Sequence, residues 1–137
     1  MNRLISEDLG KLVLRFLLAV LLLFHGIHKM MNGLDGIPNM LSQHDLPSAL
    51  AYAVFLGEIL APVLLIIGVG TRIAGALVAI SMGMAIFLVH TQQLFLLNTE
   101  TGGYMLELQA FYFFSGIIVM LLGAGRYSFG GANGRWN

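Results

Sequence analysis

Glu58 is the residue whose chemistry is hardest to explain by packing alone. It is the only charge in the apolar segment from Ala49 to Gly70. At 1.5 Å per residue that segment can cross the ~30 Å hydrocarbon core of a bilayer, which places Glu58 near its middle. A carboxylate at that depth costs at least ~2.5 kcal/mol unless it is paired or protonated. We therefore expect Glu58 to face other polar groups inside a helix bundle, as a catalytic or essential structural group.

Two histidines, His25 and His90, are the candidate catalytic partners of Glu58. Each lies near the end of an apolar segment, and His90 continues a stripe of small residues that begins at Gly75 and favours close helix packing. Imidazole and a protonatable acid can hydrogen-bond a carbonyl and move protons near neutral pH. A histidine at a membrane interface is as often only a hydrogen-bonded amphipathic side chain, so both interpretations stay open.

Four further polar residues are candidate ligand-binding groups: Arg15, Lys29, Glu107 and Gln109. Arg15 shares a helical face with His25, but it is also placed to snorkel to the surface or to pair with Glu58 for structural reasons. Lys29 at a helix C-terminus and Glu107 in a first helical turn each satisfy the helix dipole without any further role. The functional interpretation of each therefore stands beside a structural one.

The composition excludes several classes of function. Seven Lys and Arg residues balance seven Asp and Glu residues, so nothing indicates a nucleic-acid partner. The chain has no cysteine, which excludes thiolate metal sites, disulfide exchange and Fe–S clusters built from this chain. No pattern predicts a metal site. Axial ligation of a haem by His25 and His90 is the less favoured cofactor hypothesis, because two histidines in a bundle indicate haem only weakly.

The hydrophobic content predicts the fold class. The sequence is 58% hydrophobic and 10% charged, whereas a soluble domain is about 25% charged. We predict an all-α integral membrane protein with a single domain, residues 1–137, in a lipid bilayer. Four apolar segments predict a four-helix transmembrane bundle. Its spans are expected at about 9–28, 49–70, 73–92 and 104–123.

Three local signals refine this bundle. Ile37, Met40 and Leu41 follow i, i+3, i+4 spacing just after a turn, which predicts a short interfacial helix in the first outer loop. Pro62 is expected to bend the second span without ending it. The glycine-rich tail after Gly123 is predicted to be loosely ordered.

The basic residues predict the orientation. Six of the seven lie at or near the segments that share a side with the termini, whereas the opposite side holds only Lys29. The positive-inside rule then places both termini in the cytoplasm, and we expect the bacterial cytoplasmic (inner) membrane.

Four stretches, taken in order, resemble the DoxX family of small four-span membrane proteins. They are RFLLAVLLLFHGIHKM from Arg15, GEILAPVLLIIGVGTRIAGAL from Gly57, GGYMLELQAFYF from Gly102 and GAGRYSF from Gly123. The resemblance covers nearly the whole chain, and what matches inside the membrane is the set Arg15, His25, Lys29 and Glu58. It implies a four-span fold and a link to redox complexes, since the family takes its name from small subunits associated with thiosulfate–quinone oxidoreductase. The resemblance provides no catalytic motif of the family that can be assigned to residues of this sequence.

Three hypotheses for function follow. The first is a quinone-linked component or subunit of a redox complex, in which Glu58, His25 and His90 form a polar site in the outer half of the bundle and a partner protein supplies electrons. The second is a non-enzymatic membrane anchor or assembly factor whose buried charges are structural. The third is a small-molecule or proton permease, which with four spans would have to act as a homo-oligomer.

Overall fold

The computed structural model describes residues 3–34 and 36–137. Its main elements are five helices: α1 (Arg3–Asn32), α2 (Ile37–Gln43), α3 (Ser48–Ile67), α4 (Thr71–Val89) and α5 (Glu107–Leu122). By length and composition α1, α3 and α4 can each cross a membrane, and α5 is a shorter apolar helix. The predicted all-α class is confirmed, and the apolar helices make the chain an integral membrane protein. The direction in which they cross stays a prediction.

The two ends of the bundle differ in what they hold. The start of α1 meets the tail at one end, where the backbone N–H of Arg126 donates to Asp8. At the same end the Arg72 guanidinium donates to the last carbonyls of α5, those of Met120 and Leu121. We call this the terminal end. The opposite end, where α1 and α4 finish and α5 begins, is the loop end.

Helix α3 changes its winding along its length. It begins as a 3₁₀ segment (Ser48–Ala53), passes through a π segment (Leu56–Leu60) and finishes as an α-helix (Ala61–Ile67). Pro62 has no N–H to give the carbonyl of Glu58, so α-helical hydrogen bonding cannot continue through that point. The helix runs on past Pro62 as predicted, and the π segment places Glu58 in the interior, with 3% of its surface exposed.

Glycines set the contact between α4 and α5. A Cβ on Gly75 would lie 2.7 Å from the Gly116 carbonyl oxygen, so the two backbones touch where both residues lack side chains. Farther along α4, Gly83 lies opposite the ring of Phe113. The small-residue stripe predicted from the sequence is therefore the α4–α5 interface. An apolar core extends from this interface to the other two long helices. Its buried members are Leu18, Ala19, Leu22, Ala61, Leu65, Ala74, Val78, Met82, Tyr112 and Val119.

The predicted helix in the first outer loop is present as α2. Pro38 lies in its first turn, where no N–H is needed, and Leu41 is the residue of α2 that is buried. The helix ends at Gln43, and the ring of His44 just beyond it lies against Phe87 of α4.

The tail differs from the prediction, because it folds back over the terminal end. Phe129 and Gly130 donate backbone hydrogen bonds to the carbonyls of Ile67 and Gly68. The side chain of Asn137 accepts from the hydroxyl of Thr71 at 2.9 Å, at the first turn of α4. The glycine content that suggested disorder instead provides the positive-φ turns of a tightly packed segment.

The α4–α5 contact makes Gly75 sensitive to a single methyl group. Gly75→Ala should lower the free energy of unfolding by about 1–3 kcal/mol, because the added Cβ forces two backbones apart. Thermal unfolding in detergent, followed by circular dichroism, measures the effect. Gly10→Ala is the matched control: apart from its chain neighbours and its own helix backbone, nothing lies within 4 Å of a Cβ there, so stability should stay equal or rise by up to about 1 kcal/mol. Equal stability of the two variants would contradict the tight interface.

Candidate functional site

The centre of the candidate site is a buried ion pair between α1 and α3. Lys29 Nζ donates to both carboxylate oxygens of Glu58, at 2.6 Å to Oε1 and 2.7 Å to Oε2. The Glu58 side chain is 4% exposed and that of Lys29 is 21% exposed. Charged hydrogen bonds of this length offset much of the cost of removing the two ions from water.

Two glycines allow α1 and α4 to approach α3 closely. Gly26 lies about one turn before Lys29, and a Cβ there would overlap the backbone carbonyl of Glu58. On the other side of α3, a Cβ at Gly57 would overlap the side chain of Ser81 on α4. Helix α3 is thus held closely between α1 and α4 at the level of the ion pair, and Glu58 has little freedom to turn away from Lys29.

The ion pair forms part of the wall of a partly enclosed cavity at the loop end. The cavity has a volume of about 140 Å³. Its polar lining residues are His25, Lys29, Glu58, His90, Gln109 and Tyr112. Apolar side chains complete the wall, namely Leu22, Met82, Ala85 and Leu108. Every long helix contributes, so the site depends on the assembled bundle.

The two histidines that line this cavity make different contacts. The ring of His25 meets Tyr112 edge-on, with 5.9 Å between ring centroids, and the residue is otherwise exposed. His90 Nδ1 lies 2.9 Å from Gln93 Oε1, and its Nε2 lies 3.4 Å from the amide nitrogen of Gln109. Gln93 therefore orients the ring, as a hydrogen-bond partner fixes the tautomer of a histidine.

The sequence indicated an interior Glu58 with a polar partner on another span, and the structure confirms both features. Arg15, His25 and His90 were the expected partners, and that expectation is wrong: the partner is Lys29. The sequence marks Lys29 as a candidate ligand-binding residue and as a residue that satisfies the helix dipole, and neither interpretation requires a pair with Glu58. Tyr112 was missed altogether, although it follows Gln109 by three residues and so shares its helical face.

Arg15 belongs to the other end of the molecule. It is 1% exposed, and its Nη2 donates to the Tyr127 carbonyl of the tail at 2.6 Å. The expected snorkelling and the expected pair with Glu58 are both wrong, because the folded tail covers the guanidinium before it reaches the surface. Gly68 packs so closely that a Cβ there would overlap Arg15 Nη1.

Glu107 lies outside the cavity lining. It is exposed in the first turn of α5, where its charge suits the helix dipole. Within the described part of the chain, no three His, Asp or Glu residues are grouped so that they could hold a metal ion. Both ring nitrogens of His90 already face glutamine side chains, at 2.9 Å to Gln93 and 3.4 Å to Gln109, which disfavours axial ligation of a haem by His90.

Comparison with known proteins gives two matches. The profile of the DoxX family matches residues 10–91. A protein of Bacillus subtilis (strain 168) named "Putative oxidoreductase CatD" is 33% identical over 95 residues, which cover 69% of this chain and 70% of that protein. No solved structure matches the chain. The profile match contains Lys29, Glu58 and His90, whereas Gln109 and Tyr112 lie beyond it.

The ion pair should dominate the stability of the loop end. Lys29→Met should lower the free energy of unfolding by about 3–5 kcal/mol, since it leaves a carboxylate buried without a counter-ion. The double variant Lys29→Met/Glu58→Met should recover most of that loss, because two apolar side chains replace the pair. Thermal unfolding in detergent measures both.

Lys11→Met is the matched control for this prediction. Lys11 lies 4.0 Å from Asp8 and its side chain is 27% exposed, so its loss should change stability by less than about 1 kcal/mol. If Lys29→Met unfolds no more easily than Lys11→Met, the pair contributes little to the fold.

Proposed function

Because the chain belongs to the DoxX family of integral membrane proteins, we propose that it is a membrane redox component that handles a quinone, alone or as a subunit of a redox complex. The observation that carries this proposal is the placement of a buried Lys29–Glu58 pair in the wall of a cavity that also holds two histidines and a tyrosine. The name of the Bacillus subtilis relative, "Putative oxidoreductase CatD", is consistent with this role.

The cavity suits the head of a quinone. A quinone head is a small planar ring with carbonyl oxygens, and it needs an apolar slot with a few hydrogen-bond donors. Leu22, Met82 and Leu108 provide apolar surface, and Lys29 and Tyr112 provide hydrogen-bond donors. A quinone, when bound, accepts two electrons and two protons. The chain has no cysteine to serve as an electron carrier, so a partner protein would supply the electrons.

In this proposal the residues of the chain bind the ligand and deliver protons. Tyr112 and Lys29 donate hydrogen bonds to a ligand carbonyl, and Glu58 holds Lys29 in position. His90, oriented by Gln93, would exchange protons with a ligand in the cavity. His25 lies exposed beside Tyr112, so it would connect the cavity with the membrane surface.

A second candidate, a membrane anchor or assembly factor, is favoured by one observation. Among the described residues, Lys29 is the hydrogen-bond partner of both oxygens of Glu58. A pair closed in this way can have a purely structural role, which is to fix the register of two helices. The permease hypothesis has less support. The cavity at the loop end and a groove at the terminal end share no lining residue, and Leu18 and Leu65 of the apolar core are buried in the bundle.

Quinone binding tests the proposal directly. Purified protein in detergent should retain quinone in its lipid extract and should bind ubiquinone-1 in a calorimetric titration. Tyr112→Phe should weaken this binding about tenfold, because a ligand carbonyl loses its donor. Tyr52→Phe is the matched control: Tyr52 is 67% exposed and lies outside the cavity, so binding should not change.

The same titration separates the first two candidates. The variant Lys29→Met/Glu58→Met should fold but bind no ubiquinone-1 if the pair belongs to a ligand site. Absence of quinone from the extract and of ubiquinone-1 binding by the wild type would overturn the proposal and favour the anchor.

We also propose that the protein lies in the bacterial cytoplasmic membrane with both termini in the cytoplasm, from the distribution of its basic residues. The cysteine-free chain makes every introduced thiol unique. In right-side-out vesicles, an impermeant maleimide should label Thr101→Cys, at an exposed site between α4 and α5, and should label Asn133→Cys only after lysis. The reverse pattern would contradict the orientation, and labelling of both before lysis would contradict a membrane crossing by α5.

A further inference from the structure

We infer that the terminal end carries a binding site for one anionic phospholipid, formed by an apolar groove with basic residues beside it. This inference does not rest on the quinone proposal, because it concerns different residues at the other end of the bundle. It begins with a groove of about 370 Å³, which is lined by Leu12 and Phe16 of α1, by Ile66 and Ile67 of α3, and by residues 127–129 of the tail.

The groove is apolar and faces outward from the bundle. Phe16 is 43% exposed, Ile67 is 41% exposed and Phe129 is 90% exposed. In an integral membrane protein such a side faces acyl chains. Two aromatic residues, Tyr127 and Phe129, lie on the tail segment just beyond the bundle, and aromatic side chains are enriched where the membrane meets water. An acyl chain therefore fits the groove, with the head of the same lipid at its terminal end.

The charges beside the groove favour an anionic head. Lys11 precedes the lining residue Leu12, and Arg126 precedes the lining residue Tyr127. Both cations face one carboxylate, that of Asp8, at 4.0 Å from Lys11 Nζ and 3.6 Å from Arg126 Nε. The Arg126 side chain is 68% exposed, so it can turn toward a phosphate without disturbing the fold.

Arg15 adds a further positive charge behind the groove. Its Nη2 donates to the carbonyl of Tyr127, a lining residue, whereas Nε and Nη1 are buried and meet no acceptor among the residues that the structure describes. The groups named here thus comprise three cations, Lys11, Arg15 and Arg126, and one carboxylate, that of Asp8. Because Arg15 is buried, salt screens its charge little, and that charge favours an anion in the groove. A phosphate attached to an acyl chain satisfies both the charge and the apolar surface.

The test is lipid binding measured by native mass spectrometry on protein in a non-ionic detergent. Wild type should bind one molecule of palmitoyl-oleoyl phosphatidylglycerol at least tenfold more tightly than palmitoyl-oleoyl phosphatidylcholine. Lys11→Gln/Arg126→Gln should weaken phosphatidylglycerol binding about 30-fold, from the attraction typical of two basic residues near an anionic head. Arg3→Gln/Arg135→Gln removes the same charge at the same end but away from the groove, and it should leave binding unchanged.

A second pair of variants tests the groove itself without a change of charge. Ile67→Trp fills the groove and should reduce phosphatidylglycerol binding at least tenfold. Ile73→Trp adds the same bulk at an exposed site of α4 outside the groove and should not. Equal binding of the two lipids, equal loss in the two charge variants, or sodium phosphate competing as well as the lipid would each overturn the inference. A dimer that excludes lipid from the groove would overturn it as well.

Discussion

The buried ion pair between Lys29 and Glu58 is the interaction on which the loop end depends. A carboxylate inside an apolar bundle is tolerated only with a counter-ion at hydrogen-bond distance, and Lys29 provides both of the bonds that Glu58 needs. The backbone is shaped to permit this contact. Gly26 lets α1 approach the carbonyl of Glu58, and the π segment forms where Pro62 interrupts α-helical hydrogen bonding. The cavity beside the pair exists because α1, α3, α4 and α5 are held at these distances.

The two ends of the bundle provide different hydrogen-bond acceptors for a buried cation. At the loop end, Lys29 meets a carboxylate, so the charges cancel locally and the remaining polar groups around the cavity are neutral or titratable. At the terminal end, Arg15 meets a backbone carbonyl, which offsets desolvation only in part. The Lys29–Glu58 pair is therefore neutral as a unit, whereas among the described residues the buried Arg15 has a carbonyl and no carboxylate at hydrogen-bond distance. An apolar core lies in the bundle and holds Leu18, Leu22 and Leu65.

Much of the fold follows from the sequence, because hydropathy and helical spacing are local signals. They located the apolar helices, the short α2 and the small-residue face of α4. They also placed Glu58 inside, because a carboxylate in an apolar segment has few stable positions. Contacts between residues far apart in the sequence are harder to predict from it. The choice of Lys29 over His25 depends on the rotation of α1 and on the close contact at Gly26, and neither can be read from hydropathy or helical spacing. The bond from Arg15 to Tyr127 joins residues 112 positions apart, and glycine spacing does not reveal whether a tail packs or stays loose.

The structural and functional roles of Glu58 are compatible, because a paired carboxylate can still respond to a ligand. Lys29 has three N–H donors, and two are directed at Glu58. A ligand carbonyl in the cavity can accept the third without breaking the pair. Lys29 and Gly26 meet Glu58 from a single helix. The contact that fixes the register of α1 against α3 therefore still leaves one N–H of Lys29 outside the pair.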